Sequence, residues 1–263
     1  MAAGIETPRV DAELLAAFLL GVPRSRLILI ETISAADASR LAALVEQRAG
    51  RVPLQHVTGT APFYGLELHV GPGVFIPRPE TELLAQWGLS VIADLAAPVV
   101  ADFCSGSGAI ALAVKAAHPS AEVYAVERSA AALTWLHRNA SGTGVEVIEG
   151  DIRTVDLDFT ADLVLSNPPY VPARSPVSPE VAADPAEAVF AGDDGLDLIP
   201  AVISRAAIVL KPGGWLGFEH DDSHTSLESL LEPTFTGVST HADLAGRPRY
   251  TTACRKACQT GTL

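Results

Sequence analysis

Val99-Val100-Ala101-Asp102-Phe103-Cys104-Ser105-Gly106-Ser107-Gly108 decides the fold. Its first five residues form a short, nearly continuous apolar run, the pattern of a strand covered on both faces. The run breaks into small residues and two glycines, which permit a tight turn and close approach of a ligand to the backbone. A helical stretch then continues to about residue 117. Further on the unit repeats. Residues 122–126 read as a strand followed by a helix to about residue 140, and 145–148 and 162–166 as two more strands. A helix follows Asp197, and 214–219 is a fifth strand after the turn Lys211-Pro212-Gly213. Strands alternating with helices predict an α/β fold with a Rossmann-like, doubly wound parallel sheet. The stretch from Phe235 to about Ala253 is expected to add antiparallel edge strands.

Towards the N-terminus the pattern changes. Phe63 to Val70 alternates like a strand, Gly71-Pro72-Gly73 is a turn signal, and Val74-Phe75-Ile76 suits a second, paired strand. Before this hairpin the chain reads as helical. Val10, Leu14, Leu15, Phe18 and Leu19 recur at helical spacing, and Gly21 and Pro23 stop that helix. A second helix is predicted from near Ala35 to Ala49 with Ser34 as its N-cap. The expected division is a helical unit over 1–55, a β-hairpin linker over 56–80 and a catalytic unit over 81–263.

With 263 residues, 48% of them hydrophobic, the chain can bury a large core. No apolar stretch approaches the ~18 residues of a membrane span, and the start lacks a signal-peptide pattern, so a cytoplasmic protein is expected. The net charge of −13 disfavours a polyanionic partner, so no direct nucleic-acid contact is expected. Cys104, Cys254 and Cys258 lack the spacing of a disulfide framework or a zinc site; reduced thiols, no metal and a monomer are the expectation.

In an open α/β sheet, ligands bind beyond the carboxyl ends of the strands. Asp102, Cys104, Gly106 and Gly108 lie at the first such end and Glu127 at the second, placed to accept hydrogen bonds from ribose hydroxyls. An acidic Asp102 repels a phosphate and suits an amino-bearing ligand. S-adenosylmethionine, with a sulfonium, an α-amino group and no phosphate, fits better than a dinucleotide. Asp151, after the third strand, is placed to accept from an adenine amine.

The fourth strand runs into Asn167-Pro168-Pro169-Tyr170. Prolines fix φ and hold nearby carbonyls rigid. The Asn167 side-chain carbonyl and the Ser166 or Pro168 backbone carbonyl together can accept both protons of one –NH₂ group. Tyr170 would lie against its flat face. Such a grip orients a poorly nucleophilic planar nitrogen for methyl transfer, and Asn167, Pro168 and Tyr170 are the catalytic candidates.

These motifs resemble the HemK/PrmC family, the protein-(glutamine N5) methyltransferases of peptide-chain release factors. The resemblance is carried by Pro53-Leu54-Gln55-His56, Gly73 to Glu82, Asp102 to Gly108, and Asn167 to Tyr170. It implies a class I S-adenosylmethionine-dependent methyltransferase with a small N-terminal helical domain that binds class 1 release factors. It also implies that Asn167 and the Pro168 carbonyl hold the glutamine amide, with Phe75, Pro169 and Tyr170 enclosing it. Asp102, Gly106 and Glu127 would contact the cofactor, and Arg78 and Glu80 would brace the linker. Related methyltransferases that act on exocyclic amino groups of DNA or ribosomal RNA share Asn-Pro-Pro-Tyr but lack Pro77-Arg78-Pro79-Glu80-Thr81. Cys104 stands where many members carry glycine, so its backbone is expected to avoid positive φ. The stretch 172–185 is richer in Ala, Pro and Ser than the family's pattern.

Overall fold

The computed structural model describes residues 3–225 and 227–257. Cys258 lies outside the described residues. The chain opens with α1 (Pro8–Leu20), which starts on a proline and ends where Gly21 turns into the left-handed region. A 3₁₀ turn (Arg24–Leu29) leads to α2 (Ala35–Ala49), whose first turn is capped by Ser34 Oγ accepting from Asp37 N at 3.0 Å. Arg48 of α2 meets Asp11 of α1 at 2.7 Å with both side chains almost wholly buried, which locks the two helices together. The short α3 (Leu54–Thr58) follows.

The linker differs from its sequence reading. β1 (Thr60–Phe63) and β2 (Leu66–His69) pair with each other, so the alternation from 63 to 70 spans a turn rather than one strand. Tyr64 and Gly65 both have positive φ, 48° and 79°, as a two-residue hairpin turn requires. Val74 to Ile76 forms no strand. Pro72, Pro77 and Pro79 deprive that segment of ladder donors. Val74 and Ile76 are nevertheless fully buried, and they pack with Ala61, Val70 and Ala132 to fasten the linker to the catalytic unit.

The catalytic unit runs α4 (Thr81–Ile92), β3 (Val99–Phe103), α5 (Ala109–Ala117), β4 (Glu122–Glu127), α6 (Ala130–Ala140), β5 (Val145–Glu149) and β6 (Ala161–Ser166). It continues through α7 (Ala186–Val189), α8 (Ile199–Val209), β7 (Leu210–Glu219), α9 (Leu227–Leu231), β8 (Phe235–Ala242) and β9 (Pro248–Arg255). The sheet order is β5-β4-β3-β6-β7-β9-β8, parallel from β5 to β7, with β9 and β8 antiparallel at the edge. The expected turn at 211–213 is absorbed into β7, where the β6–β7 register shifts between Ala161 and Leu163. Lys211 Nζ reaches Asp162 at that shift, at 2.7 Å.

The strands alternate between two cores with a period of two. Val100, Leu163 and Leu165 face α4, α5 and α6, while Ala101, Phe103 and Val164 face α8 and α9. The chain leaves β3 for β4 and β5 on one side, then returns to β6 on the other. That reversal opens a crevice at the carboxyl ends of β3 and β6.

Candidate active site

The crevice is a cavity of about 410 Å³. The loop after β3 supplies Cys104 to Ser107, the end of β4 Glu127 to Ser129, the turn after β5 Gly150 to Ile152, and the end of β6 Asn167 to Val171. The linker closes one side with Gly73 to Phe75, Pro77 and Arg78. Thus Phe75, Asp102, Cys104, Gly106, Glu127, Asp151, Asn167, Pro168, Pro169 and Tyr170 all line one space. Gly108 does not line it. It begins α5 with φ 87°, and a Cβ there would come within 2.6 Å of Leu136 Cδ1, so helix packing demands this glycine.

Cys104 has φ 60°, in the left-handed region its side chain was expected to avoid. The loop must reverse direction between β3 and α5, and Ser105 N donates to Val126 O at 3.0 Å, which pins that conformation whatever residue occupies position 104. Burial, with Glu127 and Asp102 nearby, pushes the thiol pKa far up.

Asp102 is buried. Its Oδ2 accepts from Ala111 N at 3.1 Å, while Oδ1 has no partner. Desolvation raises the carboxyl pKa to about 7 against the pull of the Ala111 hydrogen bond. Glu127 accepts three backbone N–H groups: Gly106 at 2.9 Å, Arg128 at 2.8 Å and Ser129 at 2.7 Å. One side chain thereby ties the glycine loop to the end of β4. Asp151 accepts from Arg153 N at 2.9 Å and stands 3.4 Å from Arg128.

At the other end, Asn167 Nδ2 donates to Thr81 Oγ1 at 3.1 Å, which leaves the Asn167 carbonyl oxygen free to accept. The Tyr170 hydroxyl donates to Glu219 Oε2 and accepts from Arg249 Nη1, both at 3.4 Å. Burial, reinforced by Glu219, pushes the Tyr170 pKa far up, so the phenol stays neutral. Glu219 is itself buried and raised to about 7, opposed by Thr81, Arg249 and Tyr170. In the linker, the Arg78 guanidinium lies 4.9 Å from the Phe75 ring centre and pairs with Asp184. Asp184 Oδ1 also accepts from Ile76 N at 3.1 Å. The brace on the linker is therefore Arg78 with Asp184, whereas Glu80 makes no capping bond at the start of α4.

Three participants carry no assigned role in the sequence reading. Thr81 is quoted there only as part of the linker motif. Glu219 carries a usable signal, an acidic residue at a parallel strand's carboxyl end like Glu127. Arg249 carries none, because it is the antiparallel pairing of β9 with β7 that brings it to the cavity.

Two family models match the chain: the PrmC N-terminal domain over residues 1–59 and the methyltransferase small domain over 67–184. The release factor glutamine methyltransferase of Mycolicibacterium smegmatis is 48% identical, covering 97% of this chain and 94% of its own. That of Streptomyces coelicolor is 45% identical with 97% and 93% covered. The chain belongs to the release factor glutamine methyltransferases. Solved structures place this member of the family among the class I methyltransferase folds. The catalytic domain of human Mettl16 in complex with an RNA hairpin aligns with TM-score 0.58 at 15% identity, over 85% of this chain and 82% of that one. A Thermus thermophilus 16S rRNA N2 G1207 methyltransferase aligns with TM-score 0.55 at 23% identity, over 75% and 50%. Those likenesses establish the fold. Among the described residues, no helix is long and apolar enough to cross a membrane.

Proposed function

We propose that this chain methylates the side-chain amide nitrogen of the glutamine in the Gly-Gly-Gln loop of class 1 release factors. One observation carries the reading. The Asn167-Pro168-Pro169-Tyr170 turn opens onto the same cavity as the carboxylate-bearing ends of β3 and β4.

The carboxylate end fits S-adenosylmethionine. Asp102 Oδ1 is a buried oxygen awaiting a donor, and Asp102, Glu127 and Asp151 favour a cationic, phosphate-free ligand. Asp102 would hold the amino group, Glu127 the ribose hydroxyls and Asp151 the adenine amine, with Cys104 and Gly106 lining the approach. When bound, the cofactor supplies an electrophilic methyl group on its sulfonium. The Asn167 side-chain carbonyl and the Pro168 backbone carbonyl accept the two amide protons and aim the nitrogen. They also favour the positive charge that develops there. Phe75, Pro169 and Tyr170 enclose the flat amide and exclude water. Once methylated, the nitrogen would be cationic and its proton far more acidic; that proton passes to solvent water as the product is released, so no strong base is needed.

The N-terminal helical unit would dock the release factor. Its 3₁₀ turn exposes Ile28 and Leu29 at 89% and 76%, and Phe18 of α1 is half-exposed, apolar surface that a partner protein can cover.

The test is transfer of labelled methyl from S-adenosylmethionine to purified release factors. The wild type should label the Gly-Gly-Gln glutamine. Asn167→Ala should lose on the order of 100- to 1,000-fold in kcat while still binding cofactor. Cofactor binding without labelling of release factors, or labelling of ribosomal RNA or DNA instead, would overturn the substrate assignment.

A further inference from the structure

The chain leaves the sheet after Asn167-Pro168-Pro169-Tyr170 and then returns to it. Ala173 N donates to Gly192 O at 2.8 Å, which closes this excursion at its base. Val177, Ser178, Val181 and Pro185 within it line the cavity, so the stretch is one of the cavity's walls. Regular structure over 174–185 is limited to one 3₁₀ turn, Val181–Ala183. A wall with so few backbone bonds of its own opens readily unless it is fastened from outside.

Two acidic side chains fasten it. Asp184 ties it to the linker through Arg78 and Ile76 N. Glu180 ties it to the N-terminal helical unit. Arg51 Nε donates to Glu180 Oε1 at 2.9 Å and Arg51 Nη2 to Oε2 at 2.6 Å, the two-pronged grip of a guanidinium on a carboxylate. Arg48 Nη1 stands 2.9 Å from Oε1, and only 24% of the Glu180 side chain is exposed. The arginines are themselves held. Arg48 Nε pairs with Asp11, and Arg51 Nη1 donates to the Ala3 and Gly4 carbonyls, both at 3.1 Å. Arg51 takes φ 68° just beyond α2, a left-handed conformation uncommon for a residue with a Cβ. A lone surface ion pair contributes little, whereas a fork with fixed partners in a network of charges holds its geometry.

We infer that Glu180 is a positioning residue through which Arg48 and Arg51 make the N-terminal helical unit hold the cavity wall of 177–185 in place. The N-terminal unit then shapes the site as well as docking a partner. Arg51 and Glu180 line none of the cavity, so any effect of theirs on turnover travels through that wall. The clasp does not depend on which substrate amide enters.

The test uses the full chain with Glu180→Gln, Arg51→Gln and the two combined, and Arg51→Lys as the conservative variant. Trypsin reads the wall without any substrate, because Arg174 is exposed within the excursion. Cutting after Arg174 should be roughly 10-fold faster in either glutamine variant and no faster still in the combined one. With saturating release factor, kcat should fall roughly 10-fold in each, and by that same factor, not about 100-fold, when they are combined. Arg51→Lys keeps the charge and loses the fork, so it should fall between wild type and Arg51→Gln. Calorimetry with S-adenosylmethionine reports that each variant is folded. Should Arg51→Gln fail to bind cofactor, Glu180→Gln and Arg51→Lys are read without it. Wild-type cutting in Glu180→Gln would overturn the clasp. Wild-type kcat there, with only KM raised, would overturn the positioning role and make Glu180 part of the docking surface. Losses that multiply in the combined variant would show two independent effects and overturn it as well. If the wild type leaves release factors unlabelled, the substrate assignment falls, and the cutting at Arg174 still decides the clasp.

Discussion

The two ends of the cavity are built on different plans. The carboxylate end comes from consecutive strand ends. Asp102, Gly106, Glu127 and Asp151 sit at or just after the ends of β3, β4 and β5, held largely by backbone N–H groups. The Asn-Pro-Pro-Tyr end gathers Phe75 and Thr81 from the linker and α4, Asn167 to Tyr170 from the end of β6, Glu219 from β7 and Arg249 from β9. Its contacts run side chain to side chain over 49 to 86 residues of sequence. A ligand that many proteins share can be met by a local pattern of strand ends. An acceptor peculiar to one reaction requires side chains brought together by the whole topology.

The sharpest way to break this comparison is through protons, because each end carries one buried carboxyl raised to about 7. A cationic ligand needs Asp102 ionised. Cofactor affinity should therefore be flat above pH 7 and weaken about tenfold per pH unit below it, as binding must expel a proton. Asp102→Asn should flatten that profile at a weaker overall affinity, measured by calorimetry between pH 5 and 8. Stability without ligand carries the opposite sign. A carboxyl raised from 3.8 to about 7 keeps its proton in the native state while the unfolded chain has lost it, so stability falls as pH rises through that window. Asp102→Asn should remove only part of that slope. Glu219, raised to about 7, and Asp184, raised to about 6, add to it, while His56, His220 and His241, lowered by burial, oppose it. An affinity profile unchanged by Asp102→Asn would mean that this end does not grip its ligand through Asp102.

Legibility in the sequence follows the same division. The order of strands and helices was readable because each β–α unit carries its own apolar run and its own break, glycine-rich in the stretch 99–108. The Asn167-Pro168-Pro169-Tyr170 turn was readable for the same reason. The contacts of Asn167 with Thr81 and of Tyr170 with Glu219 and Arg249 were not, since they join residues 49 to 86 positions apart that only sheet closure brings together. The hairpin was misread by half its length because Tyr64, a bulky residue, takes a left-handed conformation that sequence rules assign to glycine or asparagine. Cys104 was misread in the same way.

A smaller effect is expected where the two ends meet the linker. The Arg78 guanidinium covers Phe75 and neutralises Asp184, whose side chain is fully buried. Arg78→Ala should cost about 1–3 kcal/mol of stability by urea unfolding, the range for a buried polar group left with too few partners. The Asp184 pKa already lies near 6, so the carboxyl can take up a proton in the variant, and the loss should shrink below that pH. A loss of the same size at pH 5 and pH 8 would assign the effect to the lost stacking on Phe75 instead of the lost charge.

The smallest effect tests whether the carboxylate end is as local as it looks. Alanine ordinarily stabilises a chain relative to glycine, because glycine has more freedom to lose on folding. At position 104 the φ of 60° reverses that order, since a Cβ in the left-handed region costs roughly 1–2 kcal/mol. Cys104→Ala keeps this strain and forfeits the thiol's packing against the second core, where Cys104 is partly buried. Cys104→Gly forfeits the same packing but relieves the strain. Glycine should therefore be the more stable of the two by about 1 kcal/mol in thermal or urea unfolding. The reverse order would mean that the loop relaxes to a negative φ once the thiol is gone. The conformation would then be imposed by the side chain, and the hydrogen bond from Ser105 N to Val126 O would not be what holds it.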